Sequence, residues 1–130
     1  MLKGILTAED AVLAAEHGVD AVVVSNHGGR VNDGVPATMD TLTEIVAALN
    51  GRIPVLIDSG FRRGTDIVKA LAIGASAVGV GRPYLWGLGA FGQPGVERVL
   101  QILRRETETA MRQVGAPTIR DLTPAMVRRA

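Results

Sequence analysis

The most constraining feature of the sequence is a regular alternation of short apolar runs and helical patterns. Residues 20–25, 55–58 and 77–80 are rich in strand-forming or small apolar residues, and each run leads into a polar, glycine-containing loop. Runs that are apolar at nearly every position are typical of parallel strands covered on both faces. Strands that alternate with helices in this way predict an α/β fold, either a doubly wound sheet or a (β/α)8 barrel.

Helical patterns fill the segments between these runs. Thr7 is a predicted N-cap with acidic residues directly after it, and Gly18 supplies the left-handed residue that commonly ends a helix. Thr38 is a possible cap for the second helix. The predicted helices cover residues 7–18, 39–49, 63–74 and 95–114, and one or two further helical turns are expected in 118–130.

The number of strands determines the expected domain organisation. Three runs read as clear strands, with at most the stub of a fourth in residues 2–6. A closed barrel needs about eight strands and about 250 residues, whereas this chain has 130. Three strands alone would leave two unpaired sheet edges. We therefore predict that residues 1–130 form part of a barrel that needs a complementary half or partner; a self-contained small α/β sheet is the alternative.

Composition narrows the classes of function. Apolar residues make up 47% of the chain and the formal net charge is +1, so neither a disordered tail nor a basic nucleic-acid-binding face is expected. The absence of cysteine excludes disulfides, thiolate metal sites and a cysteine nucleophile, and no metal site is predicted. No apolar run approaches the roughly 18 residues of a membrane span, and the N-terminus does not resemble a secretory signal. A cytoplasmic location is expected.

Two consecutive loops carry the residues of a phosphate site. Residues 58–64 and 79–82 follow two neighbouring strands, at the ends where (β/α)8 barrels place their sites. Glycines let backbone N–H groups approach an anion, and arginines can hold a phosphate with paired hydrogen bonds. The candidate residues are Gly60, Gly64, Gly79, Gly81, Arg62, Arg63 and Arg82. The alternative is that the glycines only close turns and the arginines are solvated.

The loop after the run 20–25 has a different chemistry. It contains His27 and Arg30; histidine side chains exchange protons near neutral pH, and arginine can bind a carboxylate with two parallel hydrogen bonds. The residues alone leave open whether His27 is a base or a hydrogen-bonded turn histidine. His17 lies at a helix C-terminus and is interpreted as structural. Lys3 alone does not indicate a site, because a lysine at a strand end is usually solvated. Asp58 ends a buried strand, and its carboxylate needs a hydrogen-bonding partner.

These segments together resemble one enzyme family. The similarity is to the C-terminal half of the FMN-dependent α-hydroxy-acid oxidases and dehydrogenases, which include glycolate oxidase, lactate oxidase and mandelate dehydrogenase. It is carried, in order, by LKGILTAEDA, VVVSNHGGR, PVLIDSGFRRGTDIVKALAIGA and VGVGRPYLWGL. The resemblance implies a (β/α)8 TIM barrel in which the three clear strands are the sixth, seventh and eighth, and the first four and a half strands have no counterpart in this chain.

The resemblance also implies a cofactor, FMN, and individual roles for residues. His27 corresponds to the base that takes a proton from the substrate, and Arg30 to the arginine that binds the substrate carboxylate. The other matching residues are cofactor-binding: Lys3, Ser25, Asp58, Ser59, Gly60, Arg62, Gly81 and Arg82. The implied activity is FMN-dependent oxidation of a small L-2-hydroxy acid, of the lactate, glycolate or mandelate type, to the 2-oxo acid.

The implied partners are the 2-hydroxy acid and either a missing N-terminal half-barrel or a second copy of the chain, with a homo-oligomer expected. A non-catalytic half-barrel that self-associates and at most binds a phosphate group is the alternative from another class. Among enzymes, another FMN or phosphate barrel, such as a type 2 isopentenyl diphosphate isomerase, is the alternative. The chain departs from the family pattern at residues 31–34 and at Ser59, where many members have glycine.

Overall fold

The computed structural model, which describes residues 1–128, is a parallel sheet with helices in its connections. Its strands are β1 (Leu2–Ile5), β2 (Val22–Val24), β3 (Val55–Ile57) and β4 (Ala77–Val78). Its helices are α1 (Ala8–Glu16), α2 (Thr38–Leu49), α3 (Gly64–Ile73) and α4 (Arg82–Gln113), and short 3₁₀ turns cover His27–Gly29, Ile119–Asp121 and Pro124–Met126. The strand order β1–β2–β3–β4 follows the chain, so the described residues form consecutive βα units.

The main core lies between the sheet and the helices that connect its strands. Leu42, Ile45 and Leu49 recur on one face of α2, and all three are fully buried, as are Val24 and Ile57 of the sheet. Burying each of these large side chains contributes about 1.5–3 kcal/mol. The apolar runs in the sequence therefore form strands, because apolar side chains of the neighbouring strands and of the helices packed on the sheet bury them.

Several helix ends agree with the predictions. The Oγ1 of Thr7 accepts a hydrogen bond from the backbone N–H of Asp10 at 3.2 Å, which confirms the N-cap of α1. Gly18 and Gly74 follow α1 and α3 with φ of +75° and +122°, conformations that glycine adopts at low cost. The expected turns of the tail are present up to residue 128, and residues 129–130 lie outside the described part.

The segment predicted as at most the stub of a strand is a paired strand of the sheet. Residues 2–5 form a strand that pairs in parallel with β2, with Leu2 opposite Val22 and Lys3 opposite Val23, so the described sheet has four strands rather than three and a stub. Gly4, at φ +103°, coincides with an irregularity in the pairing between Lys3 and Ile5. A glycine and a lysine interrupt the apolar run, which is why the pattern alone looked incomplete.

The segment before the last predicted helix is itself helical. Helix α4 starts at Arg82 and breaks at Phe91 and Gly92, where the backbone leaves helical geometry, and its second half agrees with the helix predicted over residues 95–114. The predicted loop 79–82 therefore ends at Gly81. Gly87 serves packing: a Cβ on it would lie 2.5 Å from the carbonyl oxygen of Gly95, so the two halves of α4 touch backbone to backbone.

Candidate functional site

The carboxyl ends of the four strands surround one open cavity of about 560 Å³. The predicted site residues that line it are Lys3, His27, Arg30, Asp58, Ser59, Gly60, Arg62, Gly79, Gly81 and Arg82. Ser25 is buried and is hydrogen-bonded to residues that line the cavity. The structure thus brings together residues from all four strand ends, as expected where parallel strands finish at the same edge of a sheet.

An ion pair between β1 and the end of β3 forms the floor of the cavity. The Nζ of Lys3 lies 3.0 Å from Oδ2 of Asp58 and donates a hydrogen bond to Oγ of Ser25 at 2.7 Å. Burial raises the pKa of Asp58, but hydrogen bonds from Ser25, Ser59 and Lys3, together with the charge of Lys3, outweigh it and hold the pKa below its ordinary value. The carboxylate therefore stays ionised and satisfied, as a partly buried carboxylate at a strand end requires.

The loop that carries His27 is held in an unusual conformation. His27, Gly28 and Gly29 have φ of +54°, +71° and +73°, a region that a histidine rarely occupies. The backbone N–H of His27 donates to Oγ of Ser25 at 3.2 Å, and that of Gly28 donates to Oδ1 of Asn26 at 3.0 Å. These contacts hold an exposed histidine at the cavity wall, and such strained backbone is common at functional sites.

The imidazole of His27 lies against β1. A Cβ built on Gly4 would be 3.1 Å from Nε2 of His27, so the absence of a side chain at position 4 makes room for the ring. Gly4 was missed in the sequence analysis. A glycine inside a strand pattern, which often marks a close backbone approach, was the signal available for it.

Three guanidinium groups give the cavity a positive character. Arg30, Arg62 and Arg82 line it, and no carboxylate within residues 1–128 forms an ion pair with any of them. The guanidinium of Arg62 stacks 5.8 Å from the ring centroid of Trp86, a cation–π contact that the sequence analysis missed. Unpaired arginines around one opening are suited to a ligand with more than one anionic group.

The backbone around Gly60 and Gly81 is accessible to an anion. A Cβ built on either glycine meets no atom within 4 Å, and Gly81 directly precedes the N-terminus of α4. Helix N-termini carry unpaired N–H groups and a partial positive charge that favour phosphate. Together with Arg62 and Arg82, these residues fit a phosphate-bearing ligand.

Two of the phosphate candidates have another role. The Nε of Arg63 lies 3.0 Å from a carboxylate oxygen of Glu106 on α4, and the same carboxylate accepts the backbone N–H of Gly64 at 2.9 Å. A Cβ on Gly64 would clash with the backbone of Thr107. Arg63 and Gly64 therefore tie α3 to α4, and neither lines the cavity.

Thr38 also differs from its predicted role. It is the first residue of α2, not its cap, and its buried hydroxyl donates to the backbone carbonyl of Asp58 at 2.8 Å. No local pattern in the sequence distinguishes this long-range contact from a cap, because Thr38 lies at the start of a helix in both cases.

The described residues contain neither a metal-binding cluster nor a membrane-spanning helix. Residues 1–128 contain no cluster of histidine, aspartate or glutamate that could hold a metal ion. None of their helices is long and apolar enough to cross a membrane.

Comparison with known proteins gives a consistent family assignment. The model of the FMN-dependent dehydrogenase family matches residues 1–129. A peroxisomal (S)-2-hydroxyacid oxidase of Arabidopsis thaliana is 55% identical over 98% of this chain and 35% of its own length. An L-lactate oxidase of Nostoc is 56% identical over 94% of this chain and 33% of its own length. The chain thus spans about a third of the length of the curated relatives it matches.

Solved structures agree with the sequence relatives. A soluble mutant of the membrane-associated (S)-mandelate dehydrogenase from Pseudomonas putida superposes with a TM-score of 0.94 at 48% identity, over 99% of this chain and 37% of that one. A lactate oxidase of Pediococcus acidilactici superposes with a TM-score of 0.90 at 46% identity, over 93% of this chain and 34% of that one. The cytoplasmic location stays a prediction, since one relative is named as peroxisomal and another as membrane-associated.

Proposed function

The chain belongs to the FMN-dependent dehydrogenase family, and on that premise we propose that it is part of an enzyme that oxidises a small L-2-hydroxy acid to the 2-oxo acid. One observation carries the proposal: His27, Arg30 and the phosphate-binding candidates Gly60 and Arg82 line a single cavity. A base, a carboxylate binder and a phosphate cup at one opening match the needs of a hydroxy acid beside a flavin nucleotide.

We place the four strands as the last four of an eight-stranded barrel, so that residues 1–130 form its C-terminal half. The support is the position of the phosphate candidates, which follow β3 and β4. In (β/α)8 barrels the phosphate site is frequently built from the loops after the seventh and eighth strands.

The residues of the cavity fit FMN. Gly60, Arg62, Gly81 and Arg82 hold the phosphate in this proposal, because their backbone is accessible and no carboxylate in residues 1–128 pairs with the arginines. Lys3, Ser25, Asp58 and Ser59 form a hydrogen-bonded group deeper in the site, towards the ring system and its ribityl chain. When bound, FMN supplies the acceptor for the two electrons that leave the substrate.

The remaining roles are assigned to three side chains. Arg30 binds the carboxylate of the acid with two hydrogen bonds and orients its 2-hydroxyl group, so that binding energy supplies alignment. His27, held over Gly4, takes a proton from the substrate. Lys3 places its positive charge at the floor of the site, where it offsets negative charge that develops on a bound ligand.

The test compares matched histidine variants of the chain, completed by the N-terminal two thirds of the related L-lactate oxidase and loaded with FMN. L-Lactate, glycolate or L-mandelate bleaches the flavin absorbance without oxygen if the proposal is correct. His27→Asn abolishes bleaching while FMN stays bound; His17→Asn leaves it intact, because His17 bonds only to its own helix at Leu13. Flavin that none of these acids bleaches contradicts the proposal.

A second variant tests the carboxylate assignment. Arg30→Lys keeps the charge but loses the paired hydrogen bonds, and we expect KM for the acid to rise at least tenfold. The control is Arg98→Lys, an exposed arginine of α4 outside the cavity. An unchanged KM in the Arg30 variant removes Arg30 from the substrate site.

A second candidate function is a non-catalytic half-barrel that pairs with another copy of the chain. It is favoured by the outer positions of β1 and β4 in the described sheet and by exposed apolar side chains such as Trp86 and Phe91. A colourless protein that forms a stable dimer and binds no FMN supports this candidate against the first.

A further inference from the structure

We propose that Ser59 is a positioning residue that fastens the His27 loop to the Asp58 carboxylate. The inference rests on the proposed role of His27 as base, and it assigns Ser59 a task besides contact with a cofactor. A single hydroxyl group joins the loop that follows β2 to the loop that follows β3.

The backbone at position 59 favours glycine. Ser59 has φ +74°, and among the described residues only His27 and Asn50 share a positive φ without being glycine. A serine in this conformation carries strain that glycine avoids. The conformation is fixed from the other side by Thr38, whose Oγ1 donates to the carbonyl oxygens of Asp58 at 2.8 Å and of Ser59 at 3.3 Å. The serine side chain therefore stands where glycine would be easier to accommodate.

The hydroxyl of Ser59 makes two hydrogen bonds that no glycine or alanine could make. Its Oγ donates to Oδ1 of Asp58 at 2.8 Å and accepts the backbone N–H of Gly28, next to His27, at 3.2 Å. One bond fixes the carboxylate and the other fixes the backbone next to the imidazole.

These two bonds close a ring of polar contacts. Lys3 bonds to Asp58 and to Ser25, Ser25 accepts the N–H of His27, and Ser59 connects Gly28 back to Asp58. Hydrogen-bonded rings of this kind rigidify the groups that they join. The ring holds the backbone on both sides of the Cα of His27, and so determines where the imidazole lies over Gly4.

Gly28 and Ser59 also stand between two cavities. Both residues line the main cavity, and both line a neighbouring cavity of about 460 Å³ that reaches Asn26 and Lys69. Their hydrogen bond is part of the wall between the two spaces. Loss of the Ser59 hydroxyl leaves the His27 loop free to move towards the second cavity.

The test uses two substitutions at one position. Ser59→Ala removes the hydroxyl and keeps the positive φ, whereas Ser59→Gly removes the hydroxyl and the strain together, so an effect shared by the two variants is due to the lost hydroxyl and not to backbone strain. Ser76→Ala is the matched control, since Ser76 is exposed and precedes β4 at the end of the sheet away from the cavity.

The first readout does not depend on activity. In both Ser59 variants we expect amide hydrogen exchange of Gly28 to accelerate by up to about fivefold, the equivalent of one lost neutral hydrogen bond, because this N–H then keeps only its bond to Oδ1 of Asn26. The chain has two histidines, so the ring resonances of His17 serve as an internal control for those of His27 in NMR spectra. We expect only the His27 resonances to move, and only in the Ser59 variants.

The second readout is kinetic. Displacement of the base lowers kcat by about tenfold or more in the FMN-loaded Ser59 variants, with a smaller change in KM because Arg30 is untouched. Unchanged Gly28 exchange and unchanged His27 resonances overturn the inference, whatever the turnover. Changed resonances in a protein that oxidises no hydroxy acid support the positioning of the loop and overturn the proposed function.

Discussion

At the scale of single residues, the site depends on a few atoms that the strands bring within hydrogen-bonding distance. Asp58 is the centre of this group because its carboxylate receives contacts from Lys3 and Ser59, and its backbone carbonyl accepts the hydroxyl of Thr38. The depressed pKa of Asp58 means that the folded state prefers the ionised form.

The pH dependence of stability follows from this preference. Asp58 contributes stability above the pKa of an unfolded aspartate, about 3.9, and the contribution is lost as pH falls through the lower folded value. Asp58→Asn should therefore lower the free energy of unfolding by about 1 kcal/mol at pH 7, since Lys3 is partly exposed, and by less at pH 3. Urea unfolding at both pH values measures this, with Asp20→Asn, an exposed aspartate, as control. An equal loss at both pH values contradicts the assignment.

Gly4 provides a second prediction at this scale. Gly4→Ala places a methyl group against Nε2 of His27 and should displace the imidazole, so turnover falls by about tenfold or more. Gly51→Ala is the matched control, because Gly51 also has a positive φ but a Cβ there meets no atom within 4 Å. Both variants lose roughly 1 kcal/mol of stability because alanine is strained at a positive φ. A fall in turnover in Gly4→Ala alone is therefore due to the contact with His27 and not to the strain. Equal activity in both variants contradicts the close approach.

At the scale of secondary-structure elements, α4 shows how glycine patterns can mislead. Gly87 and Gly95 lie on the two sides of the break at Phe91 and Gly92 and touch through their backbones. Gly89 is in the same helix, yet a Cβ there meets no atom within 4 Å. The same residue type therefore serves close packing at one position and has no contact at another.

The two kinds of glycine predict opposite effects of the same substitution. Gly87→Ala should destabilise the protein by about 1–3 kcal/mol, because the added methyl group overpacks the contact with Gly95. Gly89→Ala should stabilise it by up to about 1 kcal/mol through helix propensity alone. Thermal and urea unfolding of both variants measure the difference. Equal effects would falsify the backbone contact.

At the scale of the whole molecule, the described sheet has outer edges at β1 and β4 and a surface with large exposed apolar side chains. Leu85, Trp86 and Phe91 on the first half of α4 are 49%, 55% and 78% exposed. Unpaired parallel edges and apolar patches of this kind tend to be covered in a stable assembly. The comparison proteins are about three times as long as the matched region, in agreement with a larger barrel.

Completion of the barrel gives a prediction for the only tryptophan of the chain. We expect that addition of the N-terminal two thirds of the related L-lactate oxidase raises the affinity for FMN at least tenfold, because the added strands close the cavity. Burial of Trp86 shifts its emission to shorter wavelength in the same titration. Full FMN affinity and unchanged emission of the chain alone contradict the half-barrel interpretation.

The sequence by itself determined the features whose energetics are local. Apolar runs predict β2, β3 and β4, and Thr7 and Gly18 predict the ends of α1. The polar residues after each run predict the loops at the carboxyl ends of the strands. Because parallel strands finish at one edge of a sheet, the chemistry-bearing loops were expected to converge, and His27, Arg30 and Arg82 do line one cavity. The family resemblance could also be recognised from the sequence alone, since its motifs are contiguous.

Only the tertiary structure decided which of several similar side chains belongs to the site. Arg62 lines the cavity while its neighbour Arg63 pairs with Glu106 on α4, and Thr38 supports Asp58 instead of capping its own helix. These choices depend on contacts between residues far apart in the chain, such as Lys3 with Asp58. Local propensities contain no information on such pairs, because strand order and helix packing set the distances between them.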